Sequence, residues 1–123
     1  MSKFDDGLAV RKAVLGAEFV DKAIASADEF NRPLQELVTE YCWGAIWTRE
    51  GLSRRLRSML NLAMLTALNR PHELKMHVQG ALRNGVTREE IREVLLQATI
   101  YAGVPAGVDA FRVAREAMAD FKE

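Results

Sequence analysis

The stretch Pro71-His-Glu-Leu-Lys-Met-His-Val-Gln-Gly-Ala-Leu-Arg-Asn-Gly85 predicts a helix with its proline in the first turn and its last glycine as the stop. Its apolar stripe consists of Leu74, Val78, Ala81 and Leu82, at the three- and four-residue spacings of one helix face. His77 falls within that stripe. Because a histidine on a buried face needs a hydrogen-bond partner, a ligand or a catalytic role, the stripe leaves two readings open: a silent core histidine or a functional one.

The rest of the chain carries the same helical spacing. The other predicted helices span Leu8 to about Ala27, Asn31 to Ile46, Ser53 to about Leu68, Thr87 to Ala102, and the segment after Gly103-Val-Pro105. Thr87-Arg-Glu-Glu90 is a capping box, and no segment has a sustained period-two pattern. We therefore predict an all-α, single-domain helical bundle of about six helices over residues 1–123.

The same pattern predicts which residues face inward. In the second helix these are Leu34, Leu37, Val38, Tyr41, Cys42, Ala45 and Ile46, and in the third they are Leu56, Met59, Leu60, Ala63, Met64 and Ala67. The helix after Thr87 is apolar on more than one side, since Leu96 and Ile100 lie away from its main stripe. Such a surface in so small a chain predicts an oligomer.

Composition narrows the class of protein. The chain has 123 residues, of which 49% are hydrophobic and 28% charged, as in ordinary globular domains. A formal net charge of zero gives no electrostatic reason to expect a nucleic acid or an anionic membrane as partner. No apolar run approaches membrane-spanning length. Cys42 is the only cysteine, which excludes an intrachain disulfide and favours a reducing compartment, so we expect a cytoplasmic protein.

Two clusters suggest sites of chemistry. His72 and His77 resemble a zinc-protease pair but are five residues apart, so their rings lie about 140° apart on a helix and we predict no metal site. The segment Ser53-Arg-Arg-Leu-Arg57 places three arginines in a first helical turn, where the helix dipole disfavours cations. These arginines either bind a carboxylate, as arginine does well, or pair with acidic residues of another element.

Three longer motifs, in this order, are similar to those of one family. They are Trp43-Gly-Ala-Ile-Trp-Thr-Arg49, the run from His77 through Ala81 to Asn84-Gly-Val-Thr87, and Tyr101-Ala-Gly-Val-Pro-Ala106. With Asp6-Gly7 and Glu73-Leu-Lys-Met-His77, the chain resembles the gamma-carboxymuconolactone decarboxylases of the alkylhydroperoxidase D-like superfamily along nearly its whole length.

The resemblance implies a cofactor-free lyase of the protocatechuate branch of the beta-ketoadipate pathway. Its substrate would be a carboxylated lactone, 4-carboxymuconolactone, which loses CO2 to give 3-oxoadipate enol-lactone. Electrons from the broken bond flow through the ring double bond into the lactone carbonyl, and the alpha carbon is then protonated. Members of the family form hexamers, so a homo-oligomer, expected to be a hexamer, is the implied assembly.

The enzyme must hold a carboxylate, stabilise an oxyanion and supply a proton. His77 is the predicted general acid or oxyanion donor, and Tyr101 a further hydrogen-bond donor. The predicted substrate-binding residues are Arg49 and Arg57, with Arg55 as substitute, Trp43 and Trp47 as pocket walls or core packing, and Glu36 to orient His77 or an arginine.

Departures from the family bear on these expectations. The C-x-x-C pair of the alkylhydroperoxidase D-type members is replaced by Arg70 and Glu73, so a dithiol peroxidase cycle is not expected. Relatives often carry histidine where this chain has Phe19 and Tyr41, and asparagine where it has Val108, which leaves the substrate open. The alternatives are a related enzyme acting on another carboxylated lactone or a beta-keto acid, and a non-catalytic helical oligomer.

Overall fold

The computed structural model describes residues 2–122, and within that range the chain is helical with no strand. The elements are α1 (Lys3–Leu15), α2 (Ala17–Ala25), α3 (Arg32–Leu37), a π-helix (Val38–Ile46), α4 (Arg54–Ala67), α5 (Pro71–Arg83), α6 (Arg88–Ala102) and α7 (Val104–Asp120). This confirms the all-α prediction, with seven α-helices and one π-helix in the described part.

The helices group into two compact units. The first ends at Leu52 and the second begins at Ser53. The prediction of one domain over residues 1–123 therefore stays a prediction. No helix within residues 2–122 is long and apolar enough to cross a membrane.

Local hydrogen bonds set most of the helix boundaries where the sequence predicts them. The Ser53 hydroxyl accepts from the Leu56 N–H at 3.1 Å. Thr87 and Glu90 form both bonds of the predicted capping box, at 2.9 and 3.1 Å. The predicted first helix is instead two helices, because Gly16 adopts a φ of 94° that ends the regular helix at Leu15.

In the first unit the π-helix changes which residues face inward. Its wider turn is visible where the Trp47 N–H donates to the Cys42 carbonyl, five residues back, at 3.0 Å. The inward residues are Thr39, Trp43 and Gly44. The predicted inward face of this segment is wrong for most of its residues: Leu34, Leu37, Tyr41 and Ile46 are between 50% and 63% exposed, and Cys42 is also exposed.

Helix α1 packs directly on the backbone of the π-helix through two glycines. A Cβ atom on Gly7 would overlap the carbonyl oxygen of Thr39, and one on Gly44 would overlap the carbonyl oxygen of Lys3. The glycine of the Trp43-Gly44 motif is thus a packing residue that permits close helix approach.

The second unit has a core built from α4, α5, α6 and α7. It consists of Leu62, Leu74, Val78, Ala81, Val86, Ile91, Leu95, Ala110, Val113, Ala114 and Ala117. The predicted stripes of α5 and α6 are confirmed, since Leu74, Val78, Ile91 and Leu95 are at most 2% exposed.

The predicted inward face of α4 is wrong for most of its residues, although Met59 does pack against the core. Its buried residues are Ser58, Leu62 and Thr66. The two hydroxyls tolerate burial because each is hydrogen-bonded: Ser58 accepts from Asn84 Nδ2 at 2.9 Å and Thr66 donates to the Leu62 carbonyl at 2.8 Å.

Three of the apolar residues predicted to face inward on α4 form an exposed row instead, together with Leu68 at the end of the helix. Leu56, Leu60, Met64 and Leu68 are 43%, 49%, 50% and 62% exposed. We call these four residues the α4 ridge. An apolar row of this kind on a small domain is typical of a surface that meets another protein.

Candidate functional site

His77 lies on α5 in the second unit and is half-buried. Its ring contacts Asn61 of α4, whose Nδ2 atom is 3.3 Å from His77 Nδ1. Asn61 is also half-buried. The predicted inward position of His77 therefore agrees with the structure, and the ring has a specific polar neighbour there.

Burial controls the charge of this ring. It lowers the pKa of His77 from 6.5 to about 4, because desolvation penalises the imidazolium. At neutral pH the ring is thus neutral. A neutral imidazole offers one N–H donor and one acceptor nitrogen, which suits hydrogen bonding to a developing oxyanion better than transfer of a proton from an imidazolium.

The lowered pKa predicts acid sensitivity of folding. A histidine that binds its proton less tightly when folded costs no stability above pH 6.5, and it destabilises the fold as the pH falls from there towards 4. At pH 5 we expect this loss to be roughly 2 kcal/mol of unfolding free energy in wild type, and most of it to be absent in His77→Gln. Urea unfolding at pH 7.5 and pH 5 measures it, and an equal loss in the two proteins would contradict it.

The arginines at the start of α4 differ in their contacts. Arg55 forms an ion pair with Glu90 Oε2, while Glu90 Oε1 accepts from the Thr87 N–H of the capping box. Arg55 thus ties α4 to the first turn of α6. This is the pairing that the sequence left as the alternative to carboxylate binding.

Arg57 is the better-placed arginine for a ligand near His77. It is half-buried and lies one helical turn before Asn61, so the two side chains share a face of α4. Because Asn61 contacts the histidine ring, this face of α4 is the one that lies towards His77.

The first unit holds four of the predicted site residues. Trp43 and Trp47 are 3% and 5% exposed, and their rings pack with centroids 4.7 Å apart and an interplanar angle of 32°. Arg49 follows the π-helix and is exposed, as is Glu36 on α3. The two indoles are packing residues of this unit, as expected for a pair four residues apart.

Tyr101 lies at the end of α6 in the second unit and is 86% exposed. Its predicted role as a hydrogen-bond donor to substrate stays a prediction. Within residues 2–122 no group of three or more His, Cys, Asp or Glu side chains could hold a metal ion. The pKa of the Cys42 thiol is raised, because partial desolvation outweighs the nearby positive charge of Arg11, and a raised pKa disfavours the thiolate.

Comparison with known proteins shows the family. The sequence profile of the carboxymuconolactone decarboxylase family matches residues 32–116. The chain belongs to the carboxymuconolactone decarboxylase family.

Two curated relatives of the chain are decarboxylases by name. The nitrosuccinic acid decarboxylase of Metarhizium robertsii is 45% identical over 117 residues, which cover 95% of this chain and 82% of the relative. The 4-carboxymuconolactone decarboxylase of Acinetobacter baylyi is 38% identical over 118 residues, 96% of this chain and 88% of the relative. The similarity to these two decarboxylases supports the assignment of this chain as a carboxy-lyase. The two relatives are named for different substrates, so the comparison does not identify the substrate of this chain.

Sequence reasoning missed Asn61 and Glu90 as partners of the predicted residues. Asn61 is 16 positions from His77, so only the packing of α4 on α5 brings them together. A signal was present, however: Arg57 and Asn61 are polar residues one turn apart on a helix whose other faces are largely apolar.

Proposed function

We propose that this protein is a cofactor-free carboxy-lyase whose substrate is 4-carboxymuconolactone, in the protocatechuate branch of the beta-ketoadipate pathway. The observation that carries the proposal is the neutral, half-buried His77 held beside Asn61 in a chain 38% identical over 118 residues to a 4-carboxymuconolactone decarboxylase. We also propose a cytoplasmic location, which the single cysteine of the chain supports.

The mechanism follows from the charge that develops on the substrate. As CO2 leaves the gamma carbon, the bonding electrons pass through the ring double bond to the lactone carbonyl oxygen. His77 donates a hydrogen bond to that oxygen and stabilises the dienolate. The alpha carbon of the dienolate then takes up one proton from solvent to give the enol-lactone. Of the two roles predicted for His77, its lowered pKa favours the donor over the general acid.

Nitrosuccinic acid is the second candidate substrate, because the 45% identical relative carries its name. The chemistry is of the same type. The carboxylate on the nitro-bearing carbon leaves, its bonding electrons move into the nitro group, and the nitronate oxygen would accept the hydrogen bond from His77. In both acids a second carboxylate remains after CO2 has left and must be held.

Arg57 is the proposed holder of that second carboxylate. A charged hydrogen bond of this kind contributes about 1.5–3 kcal/mol, so Arg57→Ala is expected to raise KM about 10- to 100-fold with a smaller change in kcat. Arg55→Ala is the matched control two residues away, since Arg55 pairs with Glu90, and its KM should change less than about threefold.

The test is CO2 release from freshly generated 4-carboxymuconolactone and from nitrosuccinic acid, by wild type and by these two variants. A higher kcat/KM on the lactone supports the proposal, and a higher value on nitrosuccinic acid replaces it with the second candidate. If folded wild type releases no CO2 from either, the protein is another enzyme of the family or a non-catalytic oligomer. Equal KM values for Arg57→Ala and Arg55→Ala would remove Arg57 from substrate binding.

We also propose that the protein works as a homo-oligomer, expected to be a hexamer. The α4 ridge supports this assembly, as do Ile100, Val104 and Val108 on α6 and α7, which are 80%, 67% and 65% exposed. We further propose that a second copy of the chain packs against the exposed Tyr101 and buries it. Light scattering measures the mass, for which a value near the 13.8 kDa of one chain would contradict the assembly.

A further inference from the structure

We propose that Asn61 is a positioning residue that holds the His77 ring as its Nε2–H tautomer, so that Nε2 is the atom that donates to the substrate. The tautomer assignment follows from the contact between α4 and α5. The catalytic consequence rests on the proposed function.

The contact between the two side chains fixes the direction of the hydrogen bond. Asn61 Nδ2 lies 3.3 Å from His77 Nδ1. An amide nitrogen only donates, so the ring nitrogen facing it must be the acceptor. A neutral imidazole that accepts at Nδ1 carries its proton on Nε2. The ring atom that lies away from Asn61 is therefore the donor.

The backbone of α4 holds Asn61 firmly in this position. Ser58 and Leu62, which flank it on the same helix, are both fully buried. The Ser58 hydroxyl also accepts from Asn84 Nδ2, at 2.9 Å, and so links α4 to the end of α5. The side chain of Asn61 therefore projects from a turn that is held in place by the packing of these two buried neighbours.

An amide also suits this position better than a carboxylate. An aspartate at position 61 would accept a hydrogen bond from the ring, place the proton on Nδ1 and stabilise the imidazolium. The asparagine does neither, because its Nδ2 has no charge and can only donate. The ring thus stays neutral, with its proton on Nε2.

The experiment measures the ring nitrogens directly. The chain has two histidines, so ¹⁵N NMR of the imidazole nitrogens at pH 7, with His77→Gln to assign the signals, reports the tautomer of His77. We expect the Nε2–H form in wild type, a shift of the proton to Nδ1 in Asn61→Asp, and a mixture of both forms in Asn61→Ala. Asn84→Ala is the matched control, because Asn84 donates to Ser58 and not to the ring, and it should leave the tautomer unchanged.

Turnover on whichever acid wild type accepts provides the second readout. We expect kcat to fall at least about tenfold in Asn61→Asp and Asn61→Ala, with KM changed less than about twofold, and to remain near wild type in Asn84→Ala. Far-UV circular dichroism checks that all variants are folded.

Three results would overturn the proposal: an Nδ1–H ring in wild type, the same tautomer in wild type and Asn61→Asp, or unchanged kcat in Asn61→Asp after its tautomer has changed. The ring measurement uses no substrate. If the tautomers are as expected but wild type decarboxylates neither acid, the role of Asn61 in setting the ring is supported and the proposed function is what fails.

Discussion

Replacing His77 by alanine is expected to lower kcat on the accepted acid by about 100- to 1000-fold, with a smaller change in KM. Loss of one donor to a developing oxyanion has an effect of this size, and the interaction forms mainly in the transition state. Steady-state CO2 release by wild type and His77→Ala measures it.

A second variant separates the two roles predicted for His77. Glutamine has an amide N–H that can donate but has no proton to transfer at neutral pH. If His77 acts as a donor, His77→Gln should recover part of the lost kcat, whereas a general acid would not be rescued. His72→Ala is the control, since His72 is exposed on the same helix. Full activity in His77→Ala would disprove the mechanism and move the search to Arg49, Arg57 and Tyr101.

The substitution Gly44→Ala is expected to destabilise the protein by about 3 kcal/mol, the upper end of ordinary overpacking. The added Cβ would overlap the carbonyl oxygen of Lys3 in α1. Because both atoms belong to or adjoin the backbone, no side-chain rotation relieves the overlap, and α1 must move away from the π-helix. The midpoint of urea unfolding measures the loss.

Gly51→Ala is the matched control for this change. A Cβ at Gly51 would meet no atom within 4 Å, so its effect should stay within about 0.5 kcal/mol. Equal unfolding midpoints for the two variants would mean that the close approach at Gly44 has no effect on stability.

The parts of the fold that the sequence predicts well are those fixed by local hydrogen bonds. The Ser53 cap and the Thr87–Glu90 capping box each join atoms three residues apart, so the residues that make them are visible together in the sequence. The α5 stripe is equally clear, because most of its apolar residues lie on one face.

The wrong predictions of the buried face concern segments that carry apolar residues on two faces. In α4 the periodicity of Leu56, Leu60 and Met64 is as regular as that of a core stripe, and only the packing shows that Ser58, Leu62 and Thr66 face inward. The π-helix shifts the facing residues by its wider turn, and nothing in the local pattern predicts that shift.

The site residues also fall into two groups: those that the sequence reveals and those that only the packing of the helices reveals. His77 is detectable because a polar ring interrupts an apolar stripe. The arginines of the first α4 turn look alike in the sequence, and the role of Arg55 becomes visible only through its ion pair with Glu90, 35 positions later in the chain. Asn61 is recognised as the neighbour of His77 for a comparable reason, since their contact needs two helices to pack.

The spacing of the α4 ridge also determines how a neighbouring helix can lie on it. Its members recur at every fourth residue, so the row is inclined by about 26° to the helix axis. Two such rows that interlock cross at about 50°. Two copies joined through this ridge would therefore touch near Leu60 and Met64 and diverge towards both ends. The diverging ends would leave the first turn of α4, with Arg57, open to small molecules arriving from solvent.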